Sequence, residues 1–491
     1  MNKKIFILTW FFWGTTLWES GINDPDLGWH LFGGAWIEAN KTVPSVDPIN
    51  GLNLFWHDYH WLAQLFIYQI FKLSSYWGIK VFFGLTAGAL MALIAYNVLL
   101  FVDENRNKNT YNFFFEHFLL ALLFGMIYLV SSYRPNIFVL FFIAISHLLL
   151  FKEKKIRHDF IVIFILTALS VNLHVYWIFI PVLWLIYKVF REKSRRALLK
   201  FGILLLAGLL SPYGTIISAA ELGDIYLINY TLLLDYLLMP AEVKNNISEL
   251  TPLLKANGDV LLVGFIAVFF YLYFLLIIEW ERYHHFLWSG FIGIALVLGG
   301  VKYLSLAALL LMPTLSIGLQ HIKSNLSSKI LDSNFCRSIS FSFLFCCFAV
   351  IFAACSFPTR EQTKLEISHT ALGICEKLAN SIKAQGGESY LIMTSFDSGG
   401  WCRWGSYLAA PKLNIKVTAD GRTQWVQPAN LIDSFNAYKL SEDPFQILKK
   451  FKPNFILLSM QSPIFYLLSE QETFFEKVAE DRNYLILKSN L

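Results

Sequence analysis

Two aspartates flank Pro25 in the stretch "NDPDLGWH" at residues 23–30, directly after a run of roughly twenty mostly apolar residues. Carboxylates at the edge of a membrane span are costly to place there, which favours a functional role. Asp24 and Asp26 could bind a divalent cation such as Mg²⁺ or Mn²⁺ through hard oxygen ligands, or one of them could act as a general base. The structural alternative is that Asp24 caps a helix that begins near Pro25.

The next segment adds polar side chains that could contact a substrate. His30 follows Asp26 by one helical turn, so the two can share one face of a helix. The stretch "VPSVDP" adds Asp47, and "WHDYHW" adds His57, Asp58 and His60 among aromatic residues. Three histidines in this window could indicate a metal site, although interfacial hydrogen bonding is the commoner role. Aromatic side chains beside carboxylates suit carbohydrate rings, and they also suit the membrane interface.

A third set of polar residues is predicted at the outer ends of membrane spans and in an outer loop. The set consists of Arg134, Asn172, His174, Glu249 and Lys302. Arg134 could bind a phosphate in bidentate fashion, or it could snorkel to the interface. These groups converge on one face and few polar groups interrupt the spans, a pattern atypical of an ion pathway. A lipid or solute transporter is therefore the less favoured function.

The elements that must position these residues are mostly membrane helices. Of the 491 residues, 56% are hydrophobic and only 15% are charged, with a mean hydropathy of +0.51. A soluble domain carries about 25% charged residues, so the composition indicates a polytopic α-helical membrane protein. Apolar runs able to cross about 30 Å of hydrocarbon predict about eleven spans: residues 4–22, 77–102, 112–131, 135–151, 159–172, 175–190, 198–216, 258–278, 286–300, 303–320 and 339–356.

The orientation of the spans follows from the positive charges in the short loops. Lys and Arg concentrate in one alternate set of loops, such as "DENRNKN", "KEKKIRH" and "REKSRR", which predicts that this set is cytoplasmic. The N-terminus, with Lys3 and Lys4 but no small-residue cleavage site, is predicted to be an uncleaved first span that starts inside. Eleven crossings then place the C-terminus outside.

The outer side is predicted to hold two long loops and a C-terminal domain. The first loop, 23–76, ends in an amphipathic aromatic stretch that is typical of a helix lying in the interface; the second is 217–257. After the transmembrane domain 1–356, residues 357–491 alternate strand-like runs ("YLIMTS", "IKVTAD", "NFILLS", "YLILKS") with helix-like ones ("DPFQILKKF", "ETFFEKVAE"), which predicts a soluble α/β domain. Cys375 and Cys402 could pair there in an oxidising compartment. No phosphate-binding glycine loop and no basic tract suited to nucleic acid is present in the sequence.

The motifs resemble those of a family of bacterial membrane proteins of the GT-C glycosyltransferase type. The stretch "DPDLGWHLFGGAWIEANKTVPSVDP" is similar to that family's D-P-D-L-W-W-H-L-R-T-G-E-W-I pattern followed by V-P-x-x-D-P, and "WHDYHWLAQLFIY" is similar to its W-x-x-x-E-W-L-x-Q stretch. Later stretches match further family signatures in the same order: "RPNIF", "NLH", "SPYG", "ISELTP" and "ADGR". The match extends over nearly the whole chain, including the C-terminal domain.

The resemblance implies a GT-C-like enzyme of the bacterial cytoplasmic membrane. Such an enzyme would transfer a hexose or pentose from a polyprenyl-phosphate-linked donor to a glycan, lipid or protein acceptor on the outer face. The resemblance also implies that Asp24 or Asp26 is the catalytic base or a metal ligand, and that Glu249 is a second acid near the acceptor. The donor phosphate would be neutralised by Arg134, His174 and Lys302.

The sequence departs from the family pattern at several positions. Gly28 stands where the family has Trp, the pair Phe32–Gly33 replaces Arg-Thr, and Leu250 replaces Trp. His60 stands where the acid of E-W-L is expected, and Asp58 could substitute for that acid. These departures keep open a second function, that of a non-catalytic membrane partner whose outer domain binds glycan or protein. The structural interpretation of "DGR" (420–422) is a strand-end turn with Asp420 and Arg422 paired.

Overall fold

The structure is a computed structural model, and it describes residues 3–16, 21–52, 56–103, 114–130, 132–151, 158–190, 193, 195–214, 216–219, 223–226, 229–230, 241–247, 250–256, 258–278, 280–325, 359–383, 389–422 and 428–490. The chain divides into two compact units. The helical unit comprises Met1–Ser20, Val81–Ser211 and Ile247–Phe357, and the mixed unit comprises Gly21–Lys80, Pro212–Asn246 and Pro358–Leu491. The mixed unit therefore contains the predicted C-terminal domain together with most of both predicted outer loops.

The helical unit is built from apolar helices. They are Lys3–Thr15, the second part of Trp61–Asp103, Phe114–Tyr128, Asn136–Phe151, Asp159–Ser170, Phe179–Trp184, Arg195–Leu206, Gly258–Ile277, Trp280–Gly299 and Leu304–Asn325. Short 3₁₀ or π turns join them at Val175–Ile178, Leu185–Phe190, Ala207–Leu209, Leu253–Lys255 and Val301–Tyr303. Buried side chains such as Leu306, Leu309 and Met312 form its core.

The predicted spans are helical over most of their described residues, but their number is not confirmed. The end of span 198–216 differs, because the helical structure stops at Leu209 and a strand begins at Ile216. Three described helices are long and apolar enough to cross a membrane, at Trp61–Val102, Gly258–Ile277 and Val301–Ile322. Five more apolar helices are shorter: Phe115–Tyr128, Asn136–Phe151, Asp159–Ser170, Val175–Phe190 and Tyr283–Gly299. The predicted span 339–356 lies outside the described residues. These helices identify a multi-pass membrane protein.

The helix Trp61–Asp103 contains a break where the sequence predicts the change from interfacial helix to span. Ser75 has φ 58° and ψ −163°, a left-handed backbone value that interrupts the helix. The boundary between the two units lies a few residues later, after Lys80. The break therefore separates an aromatic helix of the first loop from the long apolar helix that follows.

The mixed unit has nine helical segments and seven strands among its described residues. The helices are Pro25–Asn40, the first part of Trp61–Asp103, Ala241–Asn246, Arg360–Ser368, Leu372–Lys383, Gly399–Ala409, Pro428–Lys439, Pro444–Phe451 and Pro463–Leu468. The strands are β1 (Ile216–Ala219), β2 (Gly223–Tyr226), β3 (Ser389–Met393), β4 (Asn414–Val417), β5 (Phe455–Ser459), β6 (Phe475–Glu480) and β7 (Tyr484–Ser489). β1 and β2 form an antiparallel hairpin.

The other five strands form one sheet in the order β4-β3-β5-β7-β6. β4, β3 and β5 are parallel, and β7 and β6 continue the sheet in antiparallel fashion. Helix Pro444–Phe451 has Asp443 as N-cap and buries Ile447, Leu448 and Phe451 against the sheet. The predicted strands and this predicted helix are confirmed within three residues.

The predicted helix in "ETFFEKVAE" is wrong, because residues 475–480 form the edge strand β6. Phe475 is buried in the core, Glu476 and Lys477 are both exposed, and the pairing with β7 shifts register between Lys477 and Ala479, as at a β-bulge. The turn into β7 is fixed by Asp481, whose Oδ1 accepts hydrogen bonds from the backbone N–H groups of Asn483 and Tyr484 at 2.8 and 2.9 Å. This side chain-to-backbone turn favours a hairpin over a helix.

The first loop adds its own backbone to the free edge of β4. Asn50 pairs with Val417 as a parallel bridge. The N–H of Val417 donates to the carbonyl of Ile49, and the N–H of Gly51 donates to the carbonyl of Val417, each at 2.9 Å. Because this pairing covers the edge strand, the loop and the C-terminal sheet form one continuous structure.

Candidate active site

The helix that carries the opening motif begins at Pro25 and ends at Asn40. Asp24 is its N-cap: its Oδ1 accepts a hydrogen bond from the backbone N–H of Asp26 at 2.8 Å. Pro25 occupies the first turn, where its missing N–H costs nothing. The capping role that the sequence left as the structural alternative is thus the one the Asp24 carboxylate has in the structure.

Asp26 has different surroundings from Asp24. It is half-buried in the first turn of the helix, and its Oδ1 accepts a hydrogen bond from Nε1 of Trp29 at 3.1 Å. The Trp29 ring in turn packs on His30, with the ring centroids 3.7 Å apart. A carboxylate at a helix N-terminus is stabilised in its charged form by the helix dipole. Asp26 therefore differs from Asp24 in two ways: an indole N–H orients its carboxylate, and it is not the N-cap of the helix.

A turn of the C-terminal segment packs directly on this carboxylate. Gly421, in the "DGR" turn after β4, has φ +88°, a left-handed value that favours glycine. A Cβ at Gly421 would lie 2.7 Å from Oδ1 of Asp26 and 3.5 Å from Nε1 of Trp29. The backbone of the turn thus forms one wall of the Asp26 site.

The same turn carries a buried ionic cluster. Nη2 of Arg422 donates to both carboxylate oxygens of Asp47, at 3.0 and 2.9 Å, and to Oδ2 of Asp420 at 2.7 Å, while its Nε donates to Oδ1 of Asp420. Burial alone would lower the pKa of Arg422, but the carboxylates of Asp420 and Asp47 outweigh it, so its pKa lies above the ordinary value. The predicted pairing of Asp420 with Arg422 is present, and Asp47 joins it from the first loop.

The polar residues of "WHDYHW" are buried near this site. Asp58 is 1% exposed, and burial raises its pKa to about 8. Its Oδ1 accepts hydrogen bonds from the backbone N–H of His60 and from Nε2 of Gln64 at 3.2 and 2.8 Å. Burial also lowers the pKa of His57 to about 3, and this ring stacks on Tyr213 with centroids 4.4 Å apart. At neutral pH, Asp58 is mostly protonated and His57 is neutral.

The imidazole of His60, which stands in place of the family's acid, lies among rings. Its ring centroid is 5.2 Å from that of His30, 5.7 Å from that of Trp29 and 4.0 Å from that of Tyr59. The structure thus brings together the predicted residues Asp26, His30 and His60.

The described residues around Asp26 do not form a complete site for a divalent cation by themselves. Asp24 is used as an N-cap and Asp26 accepts from an indole, and within the described residues no group of three or more His, Cys, Asp and Glu is placed to hold a metal ion. Mg²⁺ or Mn²⁺ at these two carboxylates would need waters and donor phosphate oxygens to complete its coordination. We therefore derive no reaction step through a metal.

The departures from the family pattern have a structural reason in the packing of two helices. A Cβ at Gly28 would lie 2.5 Å from the backbone of Gly400 and Trp401, so the helices Pro25–Asn40 and Gly399–Ala409 approach backbone to backbone. Trp401 secures the crossing, since its Nε1 donates to the carbonyl of Asp24 at 2.9 Å. A Cβ at Gly33 would meet Oε1 of Gln64 at 1.9 Å. The backbone contact requires a small residue at Gly28, whereas at Gly33 the contact is with the end of the Gln64 side chain.

A cation from the second of these helices packs on Phe32, one of the residues that depart from the family pattern. The guanidinium of Arg403 lies over the ring of Phe32, 3.9 Å from its centroid, and its Nε donates to the carbonyl of Pro48 at 3.3 Å. Burial lowers the pKa of Arg403 to about 9. Sequence reasoning identified neither Trp401 nor Arg403; the signal that could have found them is the cluster of Gly, Trp and Arg in "GGWCRWG".

The helical unit holds the predicted phosphate-binding residues, and it brings two of them into one hydrogen-bonded group. Nδ1 of His174 accepts from the backbone N–H of Tyr176 at 3.2 Å, and the Tyr176 hydroxyl donates to the carbonyl of Lys302 at 3.1 Å. Since Nδ1 is an acceptor, Nε2 of His174 carries the proton in the neutral ring. Arg134 is half-buried in the turn before helix Asn136–Phe151.

The other two predicted residues of this set are Asn172 and Glu249. Asn172 is buried and structural: its Nδ2 donates to the carbonyls of Ala168 and Leu210 at 2.9 and 2.8 Å, which ties the end of one helix to the "SPYG" breaker. Glu249, the predicted second acid, lies outside the described residues.

Comparison with known proteins gives a fold and no sequence family. No protein-family model matches the sequence, and no curated protein matches it either. Among solved structures, the archaeal oligosaccharyltransferase AglB from Archaeoglobus fulgidus in complex with an inhibitory peptide and a dolichol-phosphate has 9% identity and a TM-score of 0.53, over 92% of this chain and 69% of that one.

Two crystal structures of the A. fulgidus oligosaccharyltransferase also match, at 11% identity and TM-scores of 0.48. One is tethered with an acceptor peptide containing the NVT sequon via a disulfide bond, and the other is in the apo form. Each match extends over 89% of this chain but only 65% and 66% of those chains, which is less than two thirds of their length.

Proposed function

We propose that this chain, which has the fold of the GT-C-type membrane glycosyltransferases, is itself a transferase that moves a sugar from a polyprenyl-phosphate-linked donor to an acceptor hydroxyl or amide. The fold similarity to an oligosaccharyltransferase bound to dolichol-phosphate supports a lipid-phosphate donor. The observation that carries the site is the half-buried Asp26 carboxylate, oriented by Trp29 at the first turn of a helix. The sugar can be a hexose or a pentose, and the acceptor a glycan, a lipid or a protein.

Asp26 is the catalytic base in this proposal, and Asp24 is a positioning residue. The acceptor oxygen or nitrogen attacks the anomeric carbon as its proton passes to the Asp26 carboxylate. The bond from that carbon to the phosphate oxygen breaks, and polyprenyl phosphate leaves with the electron pair. A base placed in this way typically contributes about 10²–10⁴-fold to the rate.

The leaving phosphate needs cations that neutralise its charge. We propose that Arg134, Lys302 and the Nε2–H of His174 bind the phosphate oxygens. Arg134 suits a bidentate contact with a phosphate, and Lys302 acts as a point charge. The hydrogen bonds from Tyr176 to His174 and Lys302 support a shared role for these two residues.

The reaction is proposed to take place on the outer face of the bacterial cytoplasmic membrane, with the N-terminus inside. The distribution of Lys and Arg among the loops supports this orientation. A disulfide between Cys375 and Cys402 in the mixed unit also supports it, because disulfides persist in oxidising compartments outside the cytoplasm.

The test is a transfer assay with purified protein in lipid vesicles, supplied with a panel of polyprenyl-phosphate hexoses and pentoses and a membrane extract as acceptor. We expect Asp26→Asn to lower the transfer rate at least ~100-fold, because it removes the base while keeping the shape. Asp24→Asn is the matched control, and it should stay within about threefold of wild type since Asn caps a helix as well as Asp does. Wild-type turnover by both variants would contradict the assignment.

One observation favours the second function, that of a non-catalytic partner that binds glycan or protein. The acids Asp47 and Asp420 are neutralised by Arg422, and His60 stands where an acid is expected. If this function is correct, the same assay gives no turnover with any donor, while glycan or protein ligands still bind the full-length chain.

A further inference from the structure

The carboxylate of Asp26 is confined by a turn that comes from the far end of the chain. Gly421 follows β4 by four residues, yet a Cβ at this position would lie 2.7 Å from Oδ1 of Asp26. The left-handed φ of +88° means that an L-residue with a side chain would be strained there even without this contact. Two features therefore restrict position 421 to glycine: the backbone conformation and the carboxylate against which the residue packs.

The turn is held on its first side by a close backbone approach. Oγ1 of Thr394, at the end of β3, donates to the carbonyl of Ala419 at 2.6 Å. A Cβ at Gly399 would lie 1.6 Å from the same carbonyl oxygen, so the start of helix Gly399–Ala409 touches the chain just before the turn. The turn is thus fixed relative to the two elements that carry Thr394 and Gly399.

The turn is held on its other side by Arg422. This buried guanidinium binds Asp420 and Asp47 through four hydrogen bonds of 3.0 Å or less. It also lies over the rings of Trp56 and Trp29, 4.6 and 5.9 Å from their centroids. Trp29 donates to Asp26. Arg422 is therefore connected to the base indirectly, through the backbone of Gly421 and through the ring of Trp29.

We propose that the Asp420–Gly421–Arg422 turn is a positioning device for Asp26, which makes the C-terminal segment part of the transfer site and not a separate binding module. Gly421 sets how closely the backbone approaches the carboxylate, and Arg422 fixes the turn and the indole that donates to it. This inference rests on the proposed role of Asp26 as the base, but the placement of the turn against Trp29 can be measured without any turnover.

The first test is Gly421→Ala, with Gly373→Ala as the matched control. A Cβ at Gly373 meets no atom within 4 Å, and Gly373 lies in a helix of the same unit, so that change leaves the site untouched. The methyl group that Gly421→Ala adds displaces the Asp26 carboxylate and excludes water from it, which raises the pKa of the base. We expect kcat to fall at least ~10-fold, KM to stay within about threefold, and the acid limb of the pH–kcat profile to move to higher pH.

The second test keeps the proposal falsifiable if Gly421→Ala folds poorly. Trp29→Phe removes the indole N–H together with part of the ring, and its acid limb should move in the same direction, because a hydrogen bond to the charged form of Asp26 is lost. Wild-type kcat and an unshifted acid limb in both Gly421→Ala and Trp29→Phe would overturn the positioning role. A rise in KM with unchanged kcat would overturn it as well.

A spectroscopic measurement separates this inference from the proposed function. In protein labelled with ¹⁵N-tryptophan, the Trp29 indole resonance is assigned by its absence in Trp29→Phe. We expect this resonance to move in Gly421→Ala and to lose its pH dependence in Asp26→Asn, but to be unchanged in Gly373→Ala. If wild type shows no turnover and the resonance behaves in this way, the proposed function fails and the positioning stands; a resonance unchanged in Gly421→Ala overturns the positioning.

Discussion

The two aspartates of "NDPDLGWH" have different roles although they lie one residue apart. Asp24 faces the backbone and caps its helix, while Asp26 accepts from the Trp29 indole. The sequence could predict the cap, because Asp before Pro is a common helix start. It could not predict the partner of Asp26 from outside the motif, because Gly421 is close only in the folded chain. Sequence alone therefore located the acid pair but left open which member could act as a base.

The buried carboxyl of Asp58 should make the stability of the protein depend on pH, because burial raises its pKa to about 8 from an ordinary value of 3.8. The folded state thus binds this proton more tightly than the unfolded state does. The stability that Asp58 supports is full below about pH 4 and declines as pH rises toward 8, by up to about 1.4 kcal/mol per pH unit. We expect the apparent melting temperature of wild type to fall relative to that of Asp58→Asn between pH 5 and pH 8.

The matched control for this prediction is Asp433→Asn, which changes a half-buried carboxylate paired with Lys450 on the surface of the same unit. Between pH 5 and pH 8, Asp58→Asn should diverge from wild type more than Asp433→Asn does, because Asp433 lies on the surface. Parallel curves for wild type and Asp58→Asn would show that Asp58 titrates normally.

At the scale of elements, the crossing of helices Pro25–Asn40 and Gly399–Ala409 explains the clearest departure from the family pattern. Gly28 and Gly400 let the two backbones touch, and a Cβ at Gly400 would lie 2.8 Å from the carbonyl of Pro25. The disulfide from Cys375 to Cys402 anchors the second helix to helix Leu372–Lys383. A tryptophan at position 28, as in the family pattern, has no room in this arrangement.

We expect Gly28→Ala to lower the free energy of unfolding by about 1–3 kcal/mol, because the new methyl group overlaps the backbone of Gly400 and Trp401. Gly373→Ala, in open space within a helix, should be neutral or slightly stabilising. Thermal melting of the purified variants measures both effects. Equal melting temperatures for Gly28→Ala and Gly373→Ala would mean that the helices are not in backbone contact at this crossing.

Periodicity predicted most elements, and it failed where long-range pairing decided the outcome. The runs "YLIMTS", "IKVTAD", "NFILLS" and "YLILKS" are strands because each is a short buried apolar stretch between turns. The segment 472–480 reads equally well as a helix, and pairing with β7 made it a strand. Local sequence does not encode which partner strand will be available.

At the scale of the whole molecule, the mixed unit is built from segments that are far apart in the sequence. Residues 21–80, 212–246 and 358–491 form one compact body, although apolar helices separate them along the chain. The composition change near residue 357 predicted the last of these segments. Nothing in composition links Asp47 to Arg422, which is 375 residues later, because an ion pair between distant segments leaves no periodic signal.

This organisation predicts that the first loop and the C-terminal sheet lose protection together. Asp47→Asn removes one of the two carboxylates that neutralise Arg422, while an Asn Oδ1 can still accept from the backbone N–H groups of Ile49 and Asn50. Breaking one partner of a buried ion pair costs about 3–5 kcal/mol. In hydrogen–deuterium exchange of the full chain, we expect residues 21–52 and 389–422 both to exchange faster, with Asp433→Asn leaving both unchanged. If only residues 21–52 respond, the loop folds independently of the sheet, and the Asp26 site does not depend on the C-terminal segment for its shape.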